Sequence, residues 1–220
     1  MSKKQADEFW QSRTNVEDAR KATHFNKDDK TLEYEVTLIK KYIPYMGRVL
    51  DLGCGTCTLT NLLIPFASYI RGVEKQQDFL RFCKIGSNLE TVVADVANYK
   101  DNNQYDVILI FGVLNYIFDD DEVRKIYENC AKMLAPNGHL IVKHQSGVGE
   151  TVEINKFSED IGANYLAIYR QKERDEQLLK EFFKVEVIDI YPPEMNRWTN
   201  THFYAFVAKL GVEGTNDLSK

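Results

Sequence analysis

Two spacings of apolar residues alternate along the chain. Leu32, Val36, Ile39 and Ile43 fall on one helical face, with Asp28 or Asp29 available as a cap and Pro44 closing the segment. A short apolar run, Arg48 to Leu52, then reads as a strand. Further strands are expected at Tyr69 to Val73, Leu89 to Val93, Tyr105 to Phe111 and His139 to Lys143. Helices are expected through Leu59, Leu62 and Leu63, from Gln77 to Lys84, and after Asp119 or Asp120. In the last of these Val123, Ile126, Tyr127, Cys130, Met133 and Leu134 recur at three and four, which makes Cys130 a core residue. Tyr105 to Phe111 is nearly all apolar and should be covered on both faces.

Strands that alternate with helices imply a parallel sheet with right-handed crossovers and a binding crevice at the carboxyl ends of the strands. After Lys143 the rhythm breaks over residues 144–170, which read as an insertion, before a charged helix from Gln171 to Phe183. Lys184 to Ile190 and Phe203 to Lys209 complete seven strands, and the short loop between them, YPPEMNRWTNTH, sets the last strand against the others. The expected fold is an α/β, Rossmann-like, doubly wound sheet of seven mostly parallel strands with a reversed last strand and helices on both faces. One domain over residues 1–220 is expected, with 1–43 as a helical lid and 144–170 as a substrate-recognition insertion.

Composition narrows the function. The 220 residues are 44% hydrophobic, enough for a sizeable core, and a net charge of −5 gives no basic footprint for nucleic acid or anionic membrane. Without a run of about eighteen apolar residues or a secretory pattern at MSKKQADEFWQSR, the chain is expected in the cytoplasm, with no nucleic-acid or membrane partner. Its four cysteines, Cys54, Cys57, Cys83 and Cys130, sit in apolar or helical patterns and are expected to be reduced.

The stretch VLDLGCGTCTLTNLL, Val49 to Leu63, carries the candidate chemistry. Cys54 and Cys57 have the spacing of a redox pair or half a zinc site, but the element order is not that of a thioredoxin-like domain, and no second pair follows. Gly53 and Gly55 instead lie where a first strand ends and a helix begins, letting the backbone approach a ligand. Glu74 ends the next strand, where a carboxylate can take both ribose hydroxyls, and Asp95 ends the one after.

This ordered set resembles the class I S-adenosylmethionine-dependent methyltransferases, from about Tyr42 to Lys209. VLDLGCGTC is similar to the family's first motif, the Glu of GVEK to its second, the Asp of VVADV to its third, YDVILIFGVLNYI to its fourth, and MLAPNGHLIVK to its fifth strand with the preceding turn. The resemblance implies S-adenosylmethionine as cofactor, with Asp51, Gly53, Cys54 and Gly55 at the methionine end and Glu74 at the ribose. Lys75, Asp95 and Val96 would meet the adenine, and Phe111 to Asn115 the face below the sulfonium. Cys57 departs from the motif, standing where the family usually has a third glycine.

Methyl transfer to a hydroxyl needs a proton acceptor. His144, just after the fifth strand, is the first candidate base and His202, just before the reversed strand, the second. His24, Tyr116, Tyr169, Arg170 and Trp198 are candidate substrate contacts, His24 through the lid. Tyr191-Pro-Pro193 stands in the wrong place for the signature of base and amide methylation, and Asp119, Asp120 and Asp121 are read as helix capping rather than a metal site, so no metal is expected. A small polar methyl acceptor, a sugar or natural-product intermediate methylated on oxygen or nitrogen, is the expected substrate; oligomeric state is not legible. The competing readings are a non-catalytic S-adenosylmethionine-binding partner or sensor, and a nicotinamide-dependent oxidoreductase.

Overall fold

The structure, a computed structural model, describes residues 2–23, 30–84, 86–159, 161–196 and 198–211. Three helices come first: α1 (Lys3–Arg13), α2 (Ala19–Ala22) and α3 (Thr31–Lys40). The expected caps of α3, Asp28 and Asp29, lie outside the described residues. Strands β1 (Arg48–Leu52), β2 (Tyr69–Glu74), β3 (Leu89–Val93), β4 (Tyr105–Phe111) and β5 (Leu134–Gly147) run parallel, with α4 (Thr60–Leu63) after β1 and α5 (Asp120–Met133) before β5. Beyond β5 come a hairpin of β6 (Val152–Ser158) and β7 (Ala163–Tyr169), then α6 (Lys172–Lys180), β8 (Phe183–Asp189) and β9 (Thr201–Leu210). The main sheet has the order β3-β2-β1-β4-β5-β9-β8, and β9 is antiparallel to both neighbours, as the short β8–β9 connection requires.

The apolar runs explain the layers. In β4, Val107 and Leu109 pack with Val49, Ile141, Ile39 and Leu63 on the α3 and α4 side. Ile108 and Ile110 pack with Leu50, Leu140, Ile126 and Leu178 on the α5 and α6 side. Alternation across two covered faces leaves no solvent face for β4, and burying each such Ile or Leu stabilises the fold by about 1.5–3 kcal/mol.

Three elements differ from expectation. Residues 77–82 form a 3₁₀ run rather than an α-helix, since so short a segment cannot repay the nucleation of an α-turn and Asn61 takes the Phe82 carbonyl and the Lys84 N–H. The insertion is a regular hairpin pairing Val152 with Tyr169 through Ser158 with Ala163. Strand β5 continues to Gly147 because β9 pairs it there, which puts His144 inside a strand and not after one. Among the described residues no helix is long and apolar enough to cross a membrane.

Candidate active site

The turn after β1 requires its two inner glycines. Gly53 has φ +80°, and a Cβ there would lie 2.3 Å from Val113 Cγ2; Gly55 has φ +53°. Gly53 N–H and Cys54 N–H donate to the Val73 carbonyl at 2.8 and 3.0 Å, fastening the loop to the end of β2. Glu74 closes the arrangement: Gly55 N–H and Gln76 N–H donate to its two carboxylate oxygens at 2.9 and 2.8 Å. Burial pushes the Glu74 carboxyl above its ordinary range against the pull of those hydrogen bonds.

Asp51 is buried, with 3% of its surface exposed, and Thr60 Oγ1 donates to its Oδ2 at 2.5 Å. Burial, with the nearby Glu74 and Glu35 charges, pushes its carboxyl up to about 6 although the Thr60 hydrogen bond works the other way. Asp95 accepts from Ala97 N–H at 3.0 Å and lies 3.1 Å from both Lys3 and Lys75. Burial opposes its charge, but these donors outweigh burial and hold the carboxyl below its ordinary value. Lys75 also pairs with Asp7 at 2.6 Å, so α1 is tied to the carboxyl ends of β2 and β3.

Asp51, Gly53, Cys54, Gly55, Glu74, Lys75, Asp95, Val96, Phe111 and Asn115 all line one cavity of about 1600 Å³ at the carboxyl edge of the parallel strands. Its far half is aromatic and ionic. Tyr116, Tyr165 and Tyr169 meet through their hydroxyls, Tyr165 to Tyr169 at 2.9 Å, with Trp10 of α1 4.8 Å from the Tyr116 ring. Burial pushes all three phenols up, so they are neutral at physiological pH. Opposite, Lys143 of β5 pairs with Glu35 of α3 at 2.7 Å, and the Tyr191 hydroxyl donates to the same Glu35 oxygen. Burial would neutralise Lys143, yet the Glu35 charge and the hydrogen bonds to Glu35 and Tyr191 hold its ammonium well above its ordinary value. Among the described residues, the buried Glu35 Oε2 has no hydrogen-bond partner.

Sequence reasoning missed Glu35, Lys143 and Asp175, although a signal existed for two of them. Glu35 stands on the apolar stripe of Leu32 and Ile39, and Asp175 on that of Leu178 and Leu179, where a solvated carboxylate does not belong.

The two expected histidines have different surroundings. His144 lines the cavity, but it is buried, its Nε2 lies 2.8 Å from Asp175 Oδ2, and Ser146 Oγ donates to the same oxygen. Its Nδ1 is equally buried and unpartnered among the described residues. His202 is not in the cavity: it lies within β9 and pairs with Asp189 at 2.7 Å, while its strand neighbour Thr201 turns inward to accept from Gln145 Nε2 at 2.6 Å. Arg170 is not in the cavity either. Its guanidinium is spent on Asp120 at 2.7 Å and on the Ile117 and Leu114 carbonyls, so it braces the turn after β4. Tyr116, Tyr169 and the exposed Trp198 do line the cavity, and Asn115 donates to the Gln145 and Ile168 carbonyls at 2.9 Å each. His24 lies outside the described residues. Cys57 and Cys83, expected as thiols, form a disulfide, with Cys54 Sγ 3.8 Å from Cys57 Sγ.

Residues 50–140 match a family model described as a methyltransferase domain. The fold is similar to that of N-methyltransferase NodS from Bradyrhizobium japonicum WM9 in complex with S-adenosyl-L-homocysteine, with a TM-score of 0.65 and 17% identity over 92% of this chain and 98% of that one. This chain is 27% identical over 99 residues to nodulation protein S of Sinorhizobium fredii, covering 42% of this chain and 44% of that protein. It is 28% identical over 100 residues to a ubiquinone biosynthesis O-methyltransferase of Bradyrhizobium diazoefficiens, covering 43% and 38%. The chain spans less than half the length of the curated relatives it matches.

Proposed function

We propose that this chain transfers the methyl group of S-adenosylmethionine to an oxygen or nitrogen of a small polar acceptor. The observation that carries the reading is the continuity of one cavity from three acids at successive strand ends, Asp51, Glu74 and Asp95, to the buried Glu35, Lys143 and Tyr191 group. The donor set suits the cofactor. A buried carboxylate held up to about 6 at Asp51 favours a cationic ligand group beside it, and Glu74, anchored by Gly55 N–H, keeps lone pairs for a diol. When bound, the cofactor supplies a methyl on a sulfonium, already electrophilic.

The chain's own residues then align, exclude water and accept a proton. Lys3, Asp7 and Trp10 of α1 cover the cavity on one side, and Tyr165 and Tyr169 of the hairpin wall it on another. Glu35 is the proton acceptor, since Lys143 and Tyr191 hold one oxygen and Oε2 is without a partner among the described residues. A second reading keeps His144 as the base, favoured by its Asp175 contact and unpartnered Nδ1. The names of the relatives include both an N-methyltransferase and an O-methyltransferase, and the cavity's neutral phenols and carboxylate suit a hydroxyl or an amine alike.

Calorimetric titration with S-adenosylmethionine, S-adenosylhomocysteine and NADH, beside a Glu74→Ala control, tests the cofactor. Micromolar binding of the first two, weakened more than about tenfold in the control, is the expected result. Binding of NADH alone, or full affinity in the control, overturns the assignment. Transfer of labelled methyl to a panel of hydroxylated and amine acceptors then separates an enzyme from a sensor.

A further inference from the structure

Position 57 combines two features that belong together. Cys57 has φ +54°, the left-handed region that glycine fills without strain, and it is fully buried. It is also the residue that departs from the glycine motif, and its sulfur is bonded to Cys83 on the segment after the 3₁₀ run, with Cα atoms 5.0 Å apart. A side chain kept at a strained backbone position calls for a function that its atoms perform. Here that function is a covalent tie between the glycine loop and the wall beside it. A third sulfur, Cys54 Sγ, stands 3.8 Å from Cys57 Sγ, and all three lie within 4.8 Å of one another. Cys54 also lines the cavity, next to Gly53 and Gly55.

We propose that Cys57 and Cys83 form a reversible thiol–disulfide site, exchanging with low-molecular-weight disulfides and thiols, whose closed state stiffens the glycine loop and strengthens cofactor binding. Cys83 is the less enclosed of the two residues, Cys57 being fully buried, so the exchange begins at Cys83. On closure, the Cys83 thiolate attacks one sulfur of the small disulfide, expelling one thiol and leaving a mixed disulfide on Cys83. The Cys57 thiolate then attacks the Cys83 sulfur and expels the second thiol. Two cysteine thiols are thereby oxidised and one small disulfide is reduced to two thiols; a dithiol drives the reverse. Cys54 is not the attacking group, because burial and the carboxylates of Asp51 and Glu74 keep it protonated.

The tie acts on binding through the loop. Asn61 N–H donates to the Cys57 carbonyl and Cys57 N–H to the Cys54 carbonyl, each at 2.8 Å, so Cys57 sits at the pivot between the two inner glycines and α4. Fixing that pivot lowers the ordering cost of presenting the loop to a ligand. This part of the inference rests on the glycine loop being the cofactor loop.

The full chain, treated with oxidised glutathione or with dithiothreitol, is alkylated under denaturing conditions and weighed intact, and S-adenosylhomocysteine binding is titrated in each state. After oxidation only Cys54 and Cys130 are expected to alkylate, with a peptide linking Cys57 to Cys83. Reduction frees all four thiols and weakens binding by about threefold or more, reversibly. Cys83→Ser, checked for folding by circular dichroism, is expected at the weak value under either treatment. If that variant does not fold, the wild-type comparison still decides.

Failure of the Cys57–Cys83 bond to form overturns the proposal, as does equal affinity in both states. So does retention of one equivalent of zinc by Cys54, Cys57 and Cys83 in the reduced chain, which would make the cluster a metal site. If the bond forms but S-adenosylhomocysteine binds in neither state, the coupling falls together with the cofactor reading, while the thiol pair stands.

Discussion

Asp51→Asn should stabilise the protein while disabling its ligand site, and the two effects can be separated by pH. In the folded chain the carboxyl is raised from its ordinary value of 3.8 to about 6, chiefly by burial. A raised acid means that the native state binds more protons than the unfolded one between those two values, so stability falls as pH rises through that window. The penalty is fully present above pH 6 and absent below about pH 4. A shift of roughly two pH units at 1.36 kcal/mol each gives a penalty of about 3 kcal/mol. Asparagine carries no charge to desolvate and its side-chain oxygen can still accept from Thr60, so the variant should be more stable than wild type at pH 7.5 by about 1–3 kcal/mol. Urea denaturation of both proteins at pH 4, 5, 6 and 7.5 measures the difference, which should shrink toward zero at the acid end. Over the same range the variant's affinity for S-adenosylhomocysteine should be at least about tenfold weaker at neutral pH. A stability difference independent of pH, or a variant less stable than wild type at pH 7.5, would refute the reasoning.

Gly53→Ala combines a positive φ with a Cβ 2.3 Å from Val113 Cγ2 and should cost about 2 kcal/mol or more in the same denaturation assay; a neutral effect would mean that the loop can shift. Glu35→Gln should slow methyl transfer by about a hundredfold or more, normalised to folded protein, with cofactor affinity within about twofold of wild type. His144→Ala should leave that rate within about tenfold, and the reverse ranking of the two variants would move the base to His144. Arg170→Lys should destabilise the chain by about 1–3 kcal/mol, because buried carbonyls lose their donors, without altering the acceptor KM; a changed KM with normal stability would return Arg170 to the substrate.

What the sequence revealed, and what it hid, divides by the range of the interaction. The strands from β1 to β4 were legible because each is a short apolar run whose boundaries are set locally, by a glycine loop or by the acid at its end. The half of the cavity beside the glycine loop follows from them, since Asp51, Glu74 and Asp95 come to one edge as soon as the strands are parallel and in register. The opposite half of the cavity has no such local rule. It is assembled from α3, the end of β5 and the segment after β8, joined through Glu35, Lys143 and Tyr191, which are 156 residues apart at the extremes. His144 was misplaced for the same reason: Gln145, Ser146 and Gly147 carry no strand signal of their own and become strand only because β9 pairs with them. Cys57 and Cys83, 26 residues apart on non-periodic segments, meet through the packing of α4 against the 3₁₀ run. Two buried acids did leave a mark, because Glu35 and Asp175 each interrupt an apolar helical stripe, and a carboxylate there must be desolvated and paired. In a chain of this architecture the polar residue that breaks an amphipathic stripe is thus a better guide to a buried ionic group than the histidine at a strand end, since only the former carries a cost that the folded protein must offset.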